Sequence, residues 1–346
     1  MASSAPTFNL TDDVMTPPQV SVIIPIYNGV GDLPGLEACL LHQTFASSQV
    51  EYLLIDNNST DATAKQLQAL SARAQRQGIT LIPLSEPHIQ SSYAARNRGI
   101  VSAQGEILVF TDADCRPEPS WLAAMVQPFE DLKIGLVAGE IKALPGDSLL
   151  ERYADRKEIL SQKFTIAHPF HPYGQTANLA VRRTALEKSG LFRPYLTTGG
   201  DADLCWRIQM SGNWQFYFAE AAVVRHRHRS TLRELKGQWQ RYGRSNAYLH
   251  ELHGVSLQPY LSRQQWSRRI ARWLVKEVPS VLVRSLTRQA TFLDAAMTPL
   301  DLFCGRSREV GQRHAKLELD AYQVEWFDTP CSDEVSEALN IKTDSA

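Results

Sequence analysis

The sequence predicts an α/β protein: a Rossmann-like nucleotide-binding half, a mixed central sheet, and a helical C-terminal extension. Three observations predict it. Short apolar, β-branched runs with almost no polar alternation recur at residues 20–25, 52–55, 79–84 and 105–110, as in parallel strands buried on both faces. Stretches of helical periodicity separate them. Most of these runs break off into turn-forming or acidic residues, at the strand ends where open α/β sheets collect their ligands.

In order, the first run ends in Pro25-Ile26-Tyr27-Asn28-Gly29, which puts an aromatic ring at the carboxyl end of the strand. Leu33, Leu36, Leu40 and Leu41 then mark a helix. The second strand closes in Asp56-Asn57-Asn58-Ser59-Thr60-Asp61, which also supplies N-caps for a helix whose stripe is Ala62, Leu67, Leu70 and Ala74. A third strand follows, and a helix over 92–103 carries Ala94-Ala95-Arg96-Asn97-Arg98-Gly99. The fourth strand delivers Thr111-Asp112-Ala113-Asp114, with Pro117 and Pro119 stopping regular structure beyond it. Two carboxylates one residue apart are hard oxygen ligands suited to Mg²⁺ or Mn²⁺, and hence to a phosphate-bearing substrate. G-x-G-x-x-G and G-x-x-x-x-G-K-[ST] loops are both absent after the first strand, which argues against dinucleotide oxidoreductases and P-loop phosphotransferases.

At 346 residues and 43% hydrophobic content the chain can bury a real core in one large or two ordinary domains. A net charge of −1 argues against nucleic-acid binding by bulk electrostatics, and no nucleic-acid partner is expected. Cys39, Cys115, Cys205, Cys304 and Cys331 are odd in number and without C-x-x-C spacing, so they read as reduced thiols of a cytoplasmic protein. The first residues are polar with Asp12 and Asp13, unlike a signal peptide, and no uncharged apolar run reaches the ~20 residues of a membrane span.

The order I-I-P-I-Y-N, L-I-D-N-N-S-T-D, A-A-R-N-R-G-I, V-F-T-D-A-D resembles the inverting family 2 glycosyltransferases of GT-A fold, over about residues 18–245. The resemblance implies transfer of a sugar from a nucleotide diphosphate sugar (UDP-, GDP- or dTDP-linked) with a divalent metal, Mn²⁺ or Mg²⁺. It implies Pro25, Tyr27 and Asn28 near the nucleoside, Asp56 on the base, and Arg96 and Asn97 close by. Asp112 and Asp114 are the D-x-D pair, Asp112 approaching ribose or metal and Asp114 ligating the metal.

Past a strand at 136–141 and a helical segment of mixed charge at 149–167, Tyr173 to Arg183 resembles the acceptor-side element of that family, with Asn178 near the sugar. Gly199-Gly200-Asp201-Ala202-Asp203-Leu204 resembles its E-D-x-D-L element, which places the catalytic base at Asp201. Asp203 reads as a first-turn helix residue or a salt-bridge partner. Gly200, which the resemblance implies at the acceptor or diphosphate, stands where Glu is usual, and Arg193-Pro194 follows Phe192 where an acidic residue is usual. Those departures motivate an alternative, a non-catalytic nucleotide-sugar-binding or scaffold protein. A strand over 214–218 precedes His226 and His228; the resemblance implies His226 in the metal shell or on the diphosphate. Gln238-Trp239-Gln240-Arg241-Tyr242 resembles a Q-x-x-R-W element, in which Arg241 would neutralise the leaving diphosphate.

Residues 225–288 hold fourteen Lys or Arg against three acids. At helical spacing Trp266, Ile270, Trp273 and Leu274 share a face opposite Arg268, Arg269, Arg272 and Lys276, until Pro279 interrupts. That pattern suits either peripheral contact with an anionic membrane, where a lipid-linked acceptor would be presented, or a helix packed on the domain. The expected divisions are a flexible N-terminus at 1–17, the catalytic domain at 18–245, a basic helical extension at 246–316, and an acidic, partly disordered tail at 317–346. Within the catalytic domain, 18–130 form the nucleotide half and 131–245 the acceptor half. The acceptor is expected to be a glycan or lipid-linked saccharide.

Overall fold

The computed structural model describes residues 18–327. The expected flexible N-terminus and the tail beyond residue 327 lie outside the described residues. Eight strands form one sheet: β1 (Val20–Ile26), β2 (Val50–Asp56), β3 (Thr80–Ser85), β4 (Ile107–Phe110), β5 (Cys115–Pro117), β6 (Ile134–Ala143), β7 (Leu179–Arg182) and β8 (Gln215–His226). Their spatial order is β3-β2-β1-β4-β7-β6-β8-β5. The first four are mutually parallel; β7 turns antiparallel against β4 and β6 against β7, β8 runs parallel to β6, and β5 antiparallel to β8.

The apolar runs become buried strands because both sheet faces are covered. Val22 and Ile24 pack with Leu36, Leu67 and Trp121 on one face, while Ile23 packs with Ile100, Phe110 and Leu204 on the other. The chain moves from β1 outward to β2 and β3, then returns to β4 on the other side of β1. That reversal opens a crevice between the ends of β1 and β4, where ligands of open α/β sheets bind.

Several elements differ from expectation. The helical segment at 149–167 is two helices, Leu149–Arg156 and Lys163–Ile166, separated by a turn with Glu158 at φ +48°. The strand expected at 214–218 continues to His226, bending at a register shift opposite Gly139/Glu140. Pro279 does not end the basic helix: after Arg263–Arg272 a π-helical turn, Trp273–Glu277, leads into helix Val278–Leu286, whose first turn holds the proline. A proline lacks an N–H to donate, and the widened turn before it absorbs the mismatch. Trp266, Ile270 and Trp273 are half-buried, but Leu274 is exposed.

Residues 317–327, expected within a partly disordered tail, are packed instead. Leu317 and Ala321 join the second core, and the Leu191 N–H donates to the Glu325 carbonyl at 2.7 Å. The extension is built on helices Leu232–His253 and Phe292–Arg313, which cross at two glycines. A Cβ on Gly243 would come within 2.0 Å of the Arg308 carbonyl oxygen, and one on Gly311 within 2.0 Å of that of Gln240. Only glycine allows so close an approach. No helix among the described residues is long and apolar enough to cross a membrane.

Candidate active site

Two strand ends and one helix start build the site. At the end of β4 the chain turns tightly, the Cys115 N–H donating to the Asp112 carbonyl at 3.0 Å, and this turn presents Asp112 and Asp114. In the β5–β8 ladder Cys115 pairs with His226, so a residue far along the chain arrives beside Asp114, with Nε2 3.3 Å from Oδ1. One ligand atom each from Asp112, Asp114, Cys115 and His226 fall within 4.8 Å of one another.

The charges are mutually adjusted. Burial raises the pKa of Asp112, against the pull of the Arg96 guanidinium, which donates to its Oδ1 at 2.6 Å. Burial also works to raise Asp114, but the His226 hydrogen bond together with the charges of His226 and Arg229 outweighs it and the net shift is downward. His226 is driven down by burial, yet the Asp114 carboxylate leaves it raised overall. Burial holds the Cys115 thiol far above its usual value, so it stays protonated. Two carboxylates and an imidazole fit a hard to borderline cation such as Mn²⁺ or Mg²⁺, whereas a buried, protonated thiol does not contribute to such a shell.

The crevice above this group is about 620 Å³ and is walled by Pro25, Tyr27, Asn28, Arg96, Asp112, Asp114, His226 and Arg241, all named from sequence. Asn28 adopts φ +48° and accepts from the Thr60 N–H at 2.8 Å, tying the loop after β1 to the loop after β2. Asp56 sits at the end of β2, nearly buried, with Oδ1 accepting from Ser59 N–H at 3.3 Å; its neighbour Asn57 lines the crevice. Asn57, Gln90 and Arg229 are wall residues that the sequence reading did not single out.

Asp201 occupies the first turn of helix Gly200–Ser211 and shares a pocket of about 130 Å³ with Asp112, His226, Gln238, Arg241 and Tyr242. Its Oδ1 accepts from the Tyr93 hydroxyl at 3.1 Å and its Oδ2 from the Thr176 N–H at 3.1 Å. The Gly200 N–H donates to the same Tyr93 oxygen at 2.9 Å, and a Cβ at Gly200 would meet the Tyr93 ring at 2.7 Å. The phenol of Tyr93 therefore fills the space beside Asp201 that a side chain at position 200 would enter. No motif pointed to Tyr93, which comes from a helix more than a hundred residues earlier.

Asp203, two residues from Asp201, is wholly buried, with Arg193 at 3.1 Å, Arg207 at 3.0 Å and His253 at 2.9 Å. Burial opposes ionisation, but these three partners hold its pKa at about 2. Arg193, the odd residue after Phe192, is thus one of the two guanidinium partners of this carboxylate.

Three expectations are corrected. Asn178 is fully buried with its amide committed inside the protein: it accepts from Trp121 Nε1 at 2.7 Å and donates to the Glu140 and Ala222 carbonyls, so it has no atom left for an acceptor sugar. Gly200 is buried beneath Tyr93 and presents nothing to an acceptor or diphosphate. Asn97, expected near the nucleoside, instead clamps the Phe192 backbone at 2.9 and 3.0 Å and the Glu325 carboxylate at 2.6 Å. His228 lines a separate cavity.

The chain matches the model of glycosyl transferase family 2 over residues 21–191, and that of glycosyl transferase family group 2 over residues 107–303. It is 31% identical over 284 residues to the glycosyltransferase AglE of Haloferax volcanii, covering 82% of this chain and 90% of that protein. It is also 30% identical over 175 residues to the pre-mycofactocin glycosyltransferase of Mycobacterium tuberculosis, covering 49% of this chain and 37% of that one. Its fold is similar to that of the mannosyltransferase PcManGT from Pyrobaculum calidifontis, solved with GDP-Man and Mn²⁺, at a TM-score of 0.60 and 19% identity over 86% of this chain and 88% of that one. Sequence and fold together place the chain among the family 2 glycosyltransferases of GT-A fold.

Proposed function

We propose that this glycosyltransferase is an inverting enzyme in which Asp201 is the general base and Asp112, Asp114 and His226 hold a divalent metal. The observation that carries this reading is the small pocket joining Asp201 to Asp112, His226 and Arg241. Tyr27, Asn28 and Asp56 would hold the nucleoside, with the diphosphate lying across Arg96 and Arg241. Bound at the two carboxylates and the imidazole, Mn²⁺ or Mg²⁺ would supply Lewis-acid stabilisation of the leaving diphosphate.

Tyr93 and the Thr176 N–H orient Asp201 so that a carboxylate oxygen can accept the proton of an acceptor hydroxyl. As that hydroxyl oxygen bonds to the anomeric carbon, the bond from this carbon to the diphosphate breaks and its electron pair leaves with the nucleotide. Attack opposite the leaving group inverts the centre, giving a β-linked product from an α-linked donor. Arg241, with no carboxylate partner among the described residues, is free to meet the charge gained by the diphosphate. The scaffold alternative loses its two motives: Tyr93 takes up the space over Gly200, and Arg193 serves Asp203.

The basic helices also favour peripheral membrane contact. Leu274, Val275, Leu282, Val283 and Leu286 are exposed among Arg and Lys residues, a composition suited to an anionic bilayer. The test of the function is a thermal-shift panel of UDP-, GDP- and dTDP-sugars with and without Mn²⁺, followed by transfer assays of Asp201→Asn. A ligand at a hundred times its dissociation constant adds about 2.7 kcal/mol, so the true donor stands out. Wild-type transfer by Asp201→Asn would remove the base assignment, and metal-independent binding of every nucleotide would remove the metal.

A further inference from the structure

We propose that the cavity between the acceptor half and the C-terminal helices binds a saccharide carrying a phosphate group, and that this saccharide is the acceptor. The proposal rests on the reading of Asp201 as base and names the substrate class that reaches it.

The cavity holds about 920 Å³, at the upper end of the range for small-molecule sites. Its walls include Trp239 and Tyr242 on helix Leu232–His253, Arg308 on helix Phe292–Arg313, Trp266 and Arg269 on helix Arg263–Arg272, and Tyr260 ahead of that helix. Aromatic faces of this kind stack on the C–H faces of sugar rings, while their polar tips meet hydroxyls.

Two groups in these walls lack partners. The Trp239 indole N–H is buried with no acceptor. The Arg308 side chain makes no hydrogen bond or ion pair among the described residues, and burial alone acts on it, lowering its pKa. The acids nearby are already engaged: Glu309 by Arg306 at 2.8 Å and Arg313 at 2.6 Å, and Asp301 by Lys157 at 3.1 Å and the Tyr153 hydroxyl at 2.7 Å. Arg308 and Arg269 therefore give the cavity uncompensated positive charge. A half-buried guanidinium without a counter-charge is costly, and its planar fork matches phosphate oxygens in pairs. A buried N–H without an acceptor is costly as well. One ligand that is anionic and rich in hydroxyls satisfies both.

The cavity also adjoins the pocket of the base. Tyr242 forms part of its wall and part of the wall of the Asp201 pocket, and Tyr173, another wall residue, feels the Asp201 charge. A sugar anchored by its phosphate at Arg308 extends past Tyr242 with hydroxyls directed at Asp201. In the transfer, one hydroxyl proton passes to Asp201, the oxygen bonds to the donor's anomeric carbon, and the nucleoside diphosphate departs with the electron pair. The acceptor's own phosphate is unchanged. Such an acceptor is supplied either as a soluble glycosyl phosphate or as a saccharide diphosphate on an isoprenoid lipid.

The test uses the full chain without donor, reading tryptophan fluorescence and calorimetry. Probes are the 1-phosphates of glucose, mannose and N-acetylglucosamine, the same sugars unphosphorylated, and inorganic phosphate. At least one sugar phosphate is expected to bind about tenfold or more tighter than its free sugar and than phosphate alone, a difference of ~1.4 kcal/mol. Arg308→Gln should erase that advantage and Trp239→Phe should weaken binding severalfold, both leaving the Mn²⁺-dependent nucleotide thermal shift intact. Equal affinity with and without the phosphate, or an Arg308→Gln variant that binds like wild type, overturns the proposal. Inorganic phosphate binding as well as every sugar phosphate also overturns it, leaving an anion site only. A final arm adds a farnesyl diphosphate-linked form of the tightest sugar: a further gain supports the lipid-borne source, and no gain supports the soluble one. Because no arm contains donor, the result stands apart from the base assignment, which an active Asp201→Asn would defeat alone.

Discussion

The nucleotide half and the acceptor half assemble their functional residues in opposite ways. In the first, each strand carries its own contribution at its own carboxyl end: Tyr27 and Asn28 after β1, Asp112 and Asp114 after β4. In the second, contributions come from distant elements and meet only on folding, as His226 reaches Asp114 through the β5–β8 ladder and Tyr93 reaches Asp201 across the core. A parallel array locates function by strand order, so proximity in sequence is informative there. An antiparallel add-on locates it by pairing register, which a local motif does not report.

Within the acceptor half the contrast is sharpest between Asp201 and Asp203, two residues apart on one helix. Asp201 receives neutral donors and faces a pocket, whereas Asp203 is buried among two guanidinium groups and the His253 imidazole. Asp201→Asn should cut kcat by about 10³-fold or more with melting temperature and nucleotide affinity unchanged, as expected when a general base is removed. Asp203→Asn should instead destabilise by about 3–5 kcal/mol, because Arg193 and Arg207 lose their counter-charge, with the turnover of the surviving folded fraction near wild type. Urea unfolding paired with initial rates separates the two; equal behaviour of the variants would erase the distinction.

Asp114→Ala probes the other half. It should abolish the Mn²⁺-dependent stabilisation by the donor nucleotide, about 2.7 kcal/mol at a hundred times the dissociation constant, without unfolding the protein. Nucleotide stabilisation that persists undiminished would show that the strand-end carboxylates are not the metal seat.

Tyr93→Phe tests the long-range joint. Losing a hydrogen bond to a charged group costs about 1.5–3 kcal/mol, so kcat should fall roughly tenfold or more while the donor KM stays constant. An unchanged kcat would make Tyr93 only a packing partner of Gly200.

The smallest effect is expected at Glu325, whose carboxyl is raised above its usual value by burial, against the Asn97 hydrogen bond. A carboxyl raised on folding is more easily ionised in the unfolded chain, so the folded state loses stability as pH rises through the interval above the usual value of 4.5. Glu325→Gln should therefore melt slightly higher than wild type at neutral pH, and the difference should vanish at pH values well below that of the free carboxyl. A constant difference across pH would place its origin in packing.

The legibility of the sequence follows the same division. The four parallel strands and the D-x-D turn were readable because burial on both faces demands continuous apolar runs, and because carboxylates after such runs mark a strand end. The long bent β8 was read as a short strand, since a register shift interrupts its apolar pattern. Asn178 and Asn97 looked like ligand contacts because a buried amide that bonds backbone carbonyls carries the same letter as one that bonds a sugar. Arg193 and Gly200 looked like losses of function because their partners, Asp203 and Tyr93, are spatial neighbours.

By itself, then, the sequence determined the family, the four successive strands of the nucleotide half, and the acidic strand end on which the metal proposal rests. These depend on local composition and period, which the chain carries residue by residue. Only the tertiary structure decided that His226 stands beside Asp114, that Tyr93 occupies the space over Gly200, and that an aromatic, cationic cavity adjoins the Asp201 pocket at Tyr242. Each of those results from packing between segments far apart in the chain, where register, close helix crossing and the burial of charge select neighbours that no single stretch encodes.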